Sequence, residues 1–164
     1  MNEQTAVILA IDPGASGAIV ALGPRGEIFG HLSMPTYRAG KSSRVNAQAL
    51  AGWIRGLNHP IQHAYLEAVG AMPGQGVSSM FSFGHAAGVV EGVIAAIGLP
   101  TTLVPPATWK KTQGLIGKDK DAARARAARL YPGERVFDLK GRGQAVADAV
   151  FIGLHGIGLK NDLD

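Results

Sequence analysis

The sequence predicts an α/β domain built on a mixed sheet, an antiparallel three-stranded meander continued by parallel strands, with helices on both faces. Three observations carry this. The first 34 residues hold three short apolar runs separated by turn formers. After them, strand-like and helix-like segments alternate, the pattern of crossover connections. The chain has 164 residues, 46% hydrophobic and 17% charged, which suits one complete core and not two of ordinary size. A single domain over 1–164 is therefore expected.

Ala6 to Ile11 is a continuous apolar run, the mark of a strand buried on both faces. It runs into Asp12-Pro13-Gly14-Ala15-Ser16-Gly17, a cluster of turn residues. Ala18 to Leu22 reads as the second strand, and Glu27 to Met34 as the third after Pro24-Arg25-Gly26. Tyr37 to Ser43 is basic and polar and is expected to be a mobile connection. Val45 to Leu57 has apolar residues at helical spacing (Val45, Leu50, Trp53, Ile54, Leu57), and His63 to Glu67 reads as a strand. That strand and the first are expected to be parallel neighbours.

A glycine-rich loop from Ala68 to Gln75 precedes a long helix over 78–97, stopped by Gly98-Leu99-Pro100. Thr101 to Val104 is a short strand closed by Pro105-Pro106. Trp109 to Gly117 is basic and has no clear periodicity. Alanine-rich 119–130 and then 145–159 complete the helices.

Composition narrows the function. The chain has no cysteine, which excludes disulfides, thiol nucleophiles and Cys-ligated metal centres. Sixteen Lys and Arg against 12 Asp and Glu give +4, so an anionic partner is favoured, nucleic acid first among them. Glycine, at 23 residues, is about twice its usual share, which suggests tight loops that approach something closely, with some packing glycines in helices. The start, Met1-Asn2-Glu3-Gln4-Thr5, has no basic leader, and Glu91 and several glycines interrupt the apolar stretch 86–100. A cytoplasmic protein with no membrane role is expected.

Three carboxylates stand at chemically telling places. Asp12 ends the first strand before Pro-Gly, Glu67 ends the fourth before the glycine-rich loop, and Asp148 lies near the start of the last helix. A charge at the end of an apolar run is costly unless it is paired or bound to a cation. Ligand sites in α/β sheets lie beyond the carboxyl ends of adjacent parallel strands, where Asp12 and Glu67 would meet. Each acid also has an ordinary reading: a turn residue, a solvated strand end, a charge serving a helix dipole. Taken together and without a His or Cys cluster, they suit a hard divalent cation, Mg²⁺ with Mn²⁺ as substitute. Two such ions about 3.5–4 Å apart can activate water and stabilise the leaving oxygen of a phosphodiester.

These motifs resemble those of the RuvC-type Holliday junction resolvases, members of the RNase H-like superfamily. Ile8-Leu9-Ala10-Ile11-Asp12-Pro13-Gly14 is similar to the family's opening motif, and Tyr65-Leu66-Glu67 with Ala71-Met72-Pro73-Gly74-Gln75-Gly76 to its second, as found in bacterial and phage-type members. Ala147-Asp148-Ala149 resembles the last motif. Pro105 to Lys111 and Lys118-Asp119-Lys120 resemble the basic stretch between them.

The likeness spans about 6–155. It implies an RNase H-like fold and a homodimer that nicks opposing strands of four-way DNA junctions, in recombination and repair. Asp12, Glu67 and Asp148 would be the catalytic and metal-holding residues, with two ions per site. One departure is plain. The family's further acid on the last helix, three or four residues before the final one, is here Ala145 or Gln144. Gln144 offers only an amide oxygen, and Asp138 is the other auxiliary candidate. His155, two turns past Asp148, reads as a packing or surface residue.

Lys110, Lys111, Lys118, Lys120 and Arg124 are the candidate phosphate contacts, with Arg126 and Arg129 beside them. A solvated charged face is the ordinary alternative for basic residues on an alanine-rich helix. Arg38, Lys41 and Arg44 form a possible second patch. Met72 and Phe81 are candidate apolar wedges against DNA bases, while Phe81 and Phe83 serve equally well as core residues of the following helix. Trp109 reads as packing.

Several motifs are absent. Gly114 to Lys118 lacks the spacing of a phosphate loop, Gly153 to Gly158 follows no strand, and the five histidines have no zinc spacing. Asp12 to Gly17 also resembles the phosphate loop of sugar kinases and actin-like ATPases, but one lobe cannot enclose a nucleotide, so no nucleotide cofactor is expected. Two alternatives remain: a junction-binding protein weakened by its missing acid, and a related nuclease acting on other branched DNA or RNA–DNA hybrids.

Overall fold

The computed structural model describes residues 4–160. The meander forms as expected from β1 (Val7–Asp12), β2 (Ala18–Leu22) and β3 (Ile28–Ser33). With β6 (Ile61–Glu67) and β7 (Thr101–Val104) these make a five-stranded sheet in the order β3-β2-β1-β6-β7. β1 pairs antiparallel with β2 and parallel with β6, and β6 is parallel to β7. The predicted neighbouring of the first strand and the His63–Glu67 strand is thus observed.

Every residue of β1 is apolar up to Asp12 because the strand is covered on both sides. Alternation sorts them. Val7, Leu9 and Ile11 join Ala64 and Leu66 of β6 in one core, shared with α1 (Ala47–Arg55) and α2 (Val77–Ile97). Ile8 and Ala10 face the other core, built on α5 (Lys140–Gly156) with α3 (Pro106–Thr112) and α4 (Ala122–Leu130). Ten residues of α5 are buried, including Phe151 and Ile152. Its glycines permit this. A Cβ at Gly153 would stand 2.5 Å from Leu22 Cδ1 and 2.7 Å from Ala10 Cβ, and one at Gly156 would meet the Tyr65 ring.

Three segments differ from expectation. Residues 37–43 are not a mobile connection: β4 (Thr36–Ala39) and β5 (Ser42–Val45) form a separate antiparallel hairpin. Gly40 opens its two-residue turn at φ +63°, a conformation suited to glycine and to hairpin closure. The following helix starts only at Ala47, where the Asn46 side chain accepts a hydrogen bond from the Ala49 N–H. The basic stretch 109–117 begins inside α3, whose first position is Pro106, a residue that loses no hydrogen bond there. The last helix starts at Lys140 rather than Ala145, so Asp148 lies in its third turn and not at its positive end.

Candidate active site

Strand alternation explains how two of the acids meet. Asp12 lies two residues beyond Ala10 and Glu67 two beyond Tyr65, so both point to the α5 side of the sheet, as Ala10 and Tyr65 do. The parallel register pairs Ile11 with Leu66, which places the next residues, Asp12 and Glu67, side by side. The third acid comes from α5. Gly153 sits on Ala10, and Asp148, five residues earlier, is about 7.5 Å back along the helix. Asp12 is about 6.6 Å past Ala10 along its strand, so the two reach a similar level. The loop after Asp12 is equally constrained: a Cβ at Gly17 would collide with the Asp12 carbonyl.

The three carboxylates act on one another. Burial pushes the Asp12 carboxyl up from 3.8 to about 7, and the charges of Glu67 and Asp148 add to this; the Gly14 N–H and Lys110 oppose it. Burial and the Glu67 charge raise Asp148 to about 6, against the pull of Lys110 and a hydrogen bond from Gln144. Glu67 is also raised by burial, with Trp109 and Lys110 opposing. Lys110 is the cation common to all three. The site therefore holds more negative charge than it neutralises.

Two neighbours position these acids. Trp109, 1% exposed, donates its indole N–H to Glu67 Oε1 at 3.1 Å. It does pack, as expected, but it also fixes a carboxylate, a role that the sequence around it did not suggest. Gln144 donates to Asp148 Oδ1 at 3.0 Å from one turn away, and its own Oε1 is buried without a hydrogen-bond partner. Gln144 was identified from the sequence; Asp138 does not join it. Asp138 ends a 3-10 turn (Arg135–Asp138), is exposed, and is not among the charges acting on the cluster.

The donor set is all oxygen: three carboxylates and the unpartnered amide oxygen of Gln144. Among the described residues, no three His, Asp or Glu side chains already close around a single point. Such a spread is natural for carboxylates that repel one another, and the uncompensated charge and orphaned oxygen both suit a hard cation.

Two clefts flank the acids. On the α5 side, a cleft of about 540 Å³ runs from Asp148 and Gln144 past Lys110 to Lys118 and Lys120. On the other, a cleft of about 510 Å³ joins Asp12 to Ser78, Ser79 and Ser82 in the first turns of α2. Lys110, Lys111, Lys118 and Lys120 are exposed, but they divide. Lys111 does not line that cleft but an adjoining basic cavity with Arg126, Arg129 and Lys160, and Lys118 lines both.

Arg124 is committed to the fold. It donates to the Phe137 carbonyl at 2.9 Å and pairs with Asp121, because α4 must tie down the turn that leads into α5. Met72 and Phe81 are 65% and 66% exposed, whereas Phe83 is half-buried beside the Gly14 loop. His155 is half-buried and hydrogen-bonds Thr112, as a packing residue would.

The feature sequence reading missed is the outer face of α2. The helix is long and apolar enough, by length and composition, to cross a bilayer. Its inner side, with Ala86, Val90 and Ile94, packs in the core. Gly84, Gly88 and Gly92 form a spine on the outside, with nothing within 4 Å of a Cβ built at any of them. Their four-residue spacing was the available signal.

No protein-family model matches the sequence, and no curated protein does. Among solved structures, the chain is similar to Thermus thermophilus RuvC in complex with Holliday junction substrate. The match has a TM-score of 0.59 at 16% identity and covers 93% of each chain. It is also similar to another Thermus thermophilus RuvC structure, with a TM-score of 0.49 at 17% identity, covering 92% of this chain and 93% of that one. The fold is thus the RNase H-like fold of RuvC, as the motifs led one to expect.

Proposed function

We propose that this chain is a structure-selective DNA endonuclease that resolves four-way junctions by hydrolysing phosphodiesters on opposing strands. The observation that carries this reading is the convergence of Asp12, Glu67 and Asp148, whose charges act on one another between two flanking clefts, on a fold shared over 93% of the chain with a RuvC that was solved on a Holliday junction. Asp12, Glu67 and Asp148 would hold Mg²⁺ or Mn²⁺, two ions per site, with the Gln144 amide oxygen in place of a further carboxylate. When bound, divalent ions supply an activated water and charge stabilisation for the leaving oxygen.

The chain's own residues do the remaining work. Trp109 holds Glu67 and Gln144 holds Asp148, so that neither carboxylate turns to solvent. Lys110 brings the one positive side chain that acts on all three acids, and it is positioned to meet a phosphate oxygen there. Lys118 and Lys120 extend that wall along the cleft, where phosphates of the bound strand would lie. Met72 and Phe81 project beyond the site, exposed as base-stacking wedges need to be.

The active unit is a homodimer joined through the outer face of α2. Small residues every fourth position let two helices approach closely, and among the described residues nothing covers the open face at Gly84, Gly88 and Gly92. Two copies related by a two-fold axis would present two sites to two strands.

Asp12→Asn keeps the shape of the site and removes a charge. The variant should bind a four-way junction as tightly as the parent and lose nicking by about a thousandfold or more. Nicking at the parental rate would remove Asp12 from the chemistry and this reading with it.

A further inference from the structure

The hairpin β4–β5 is a basic arm that the proposed chemistry leaves unused. Arg38, Lys41 and Arg44 are all exposed, and Lys41 sits in the tight turn at its tip. Among the described residues none of the three takes part in an ion pair. No Asp or Glu occurs anywhere between Glu27 and Glu67, nor from Ala68 to Val90. The arm and the start of α2 are thus uniformly without negative charge. Tyr37, 49% exposed, lies directly across from Arg44 in the hairpin register, on the same face.

The arm is anchored and connected to the acids. Val45 is 2% exposed and belongs to the core that contains α2, so the base of the hairpin cannot swing freely. Ser42, Ser43 and Arg44 line a small cavity with Ser78, Phe81 and Ser82 of α2. Ser78 and Ser82 also line the cleft that begins at Asp12. One continuous surface therefore runs from Asp12 across the first turns of α2 to the hairpin. It leaves the acids on the side opposite Lys118 and Lys120.

We infer that the β4–β5 hairpin is a second DNA-binding wall, on which Arg38, Lys41 and Arg44 hold the phosphates of the strand leaving the site past Asp12. This rests on the nuclease reading above and specifies how its substrate is held. Three unpaired cations on a rigid, acid-free arm complement a polyanion, and the exposed Tyr37 ring offers an apolar plane next to Arg44. The two walls would grip DNA on both sides of the acids, so that the scissile phosphate is centred by contacts to its neighbours.

The test is the salt dependence of junction binding. Arg38→Ala, Lys41→Ala and Arg44→Ala combined should weaken binding about tenfold or more at 0.1 M salt, and lower the log–log salt slope by roughly 2–3, one unit per lost phosphate contact. Arg38→Lys with Arg44→Lys should keep the parental slope, since the charges remain. Lys41→Glu at the exposed tip gives a single-site version with no burden on folding, and should lower both affinity and slope. Parental affinity and slope in the triple variant would overturn the inference, as would weaker binding at an unchanged slope. A parent protein that binds no junction at all would instead remove the nuclease reading, and the inference with it.

Discussion

Helices α2 and α5 are built from similar material and serve opposite ends. Both are apolar and glycine-rich, and both pack on the sheet, one on each face. In the second half of α5 the glycines are closed: Gly153 presses on Leu22 and Ala10, and Gly156 on Tyr65. In α2 the glycines at 84, 88 and 92 are open. A glycine pressed against a strand brings a helix down to a fixed height, and in α5 that height delivers Asp148 to Asp12 and Glu67. A glycine on an outer face can do the same for a second molecule. The proposed chemistry thus rests on internal close packing, and the proposed dimer on the helix face that the described residues leave open.

The comparison can be broken most forcefully at Gly153. Gly153→Val should cost about 3 kcal/mol or more of stability, because a Cβ and two methyl groups would enter space held by Leu22 and Ala10. Denaturant unfolding measures this, and a neutral substitution would mean that α5 does not sit where its glycines place it.

A smaller effect sharpens the same contrast through pH. Asp12 and Asp148 titrate near 7 and 6 in the folded protein, against 3.8 when unfolded. Between about pH 4 and 7 the folded state then binds more protons than the unfolded one. Stability of the metal-free protein should fall as pH rises through that window, and stay low above it. Asp12→Asn should flatten much of the fall and be more stable than the parent at pH 8 by roughly 1–2 kcal/mol, about 3–6 °C in melting temperature. Divalent metal should raise the melting temperature more at pH 8 than at pH 6, since protons compete for the same oxygens. A parent that gains stability up to pH 8 without metal would contradict the crowding of the acids.

The smallest stability change is expected on α2. Gly88→Arg opens into empty space and should alter the unfolding free energy by about 0.5 kcal/mol to 1 kcal/mol at most. Sedimentation should nevertheless show the dimer replaced by monomer. A dimer that survives this change would place the interface elsewhere.

Much of this was legible in the sequence, for physical reasons that can be named. The apolar run ending at Asp12 is a strand buried on both faces, the strand ending at Glu67 alternates buried with half-buried residues, and a charge at the end of such a strand marks a candidate site. Asp148 was found by motif, but its helix begins earlier than periodicity suggested, because Lys140, Gly141 and Arg142 extend it on an exposed first turn. The hairpin was missed because its strands are four residues long, polar, and carry no alternation of hydrophobicity. Trp109 was half understood: burial follows from its type, but its bond to Glu67 depends on how α3 meets the end of β6. Arg124 is the opposite case, a basic residue on a basic helix whose bond to the Phe137 carbonyl ties it into the fold.

The central claim is tested most directly by offering the protein a synthetic four-way junction beside linear duplex and RNA–DNA hybrid, with Mg²⁺ or Mn²⁺ and with chelator. The account predicts paired nicks on opposing strands of the junction, dependent on metal and absent from the other two substrates. Tight junction binding without cleavage in either metal would contradict it, and would show that Gln144 in place of a carboxylate leaves a binding protein rather than a nuclease.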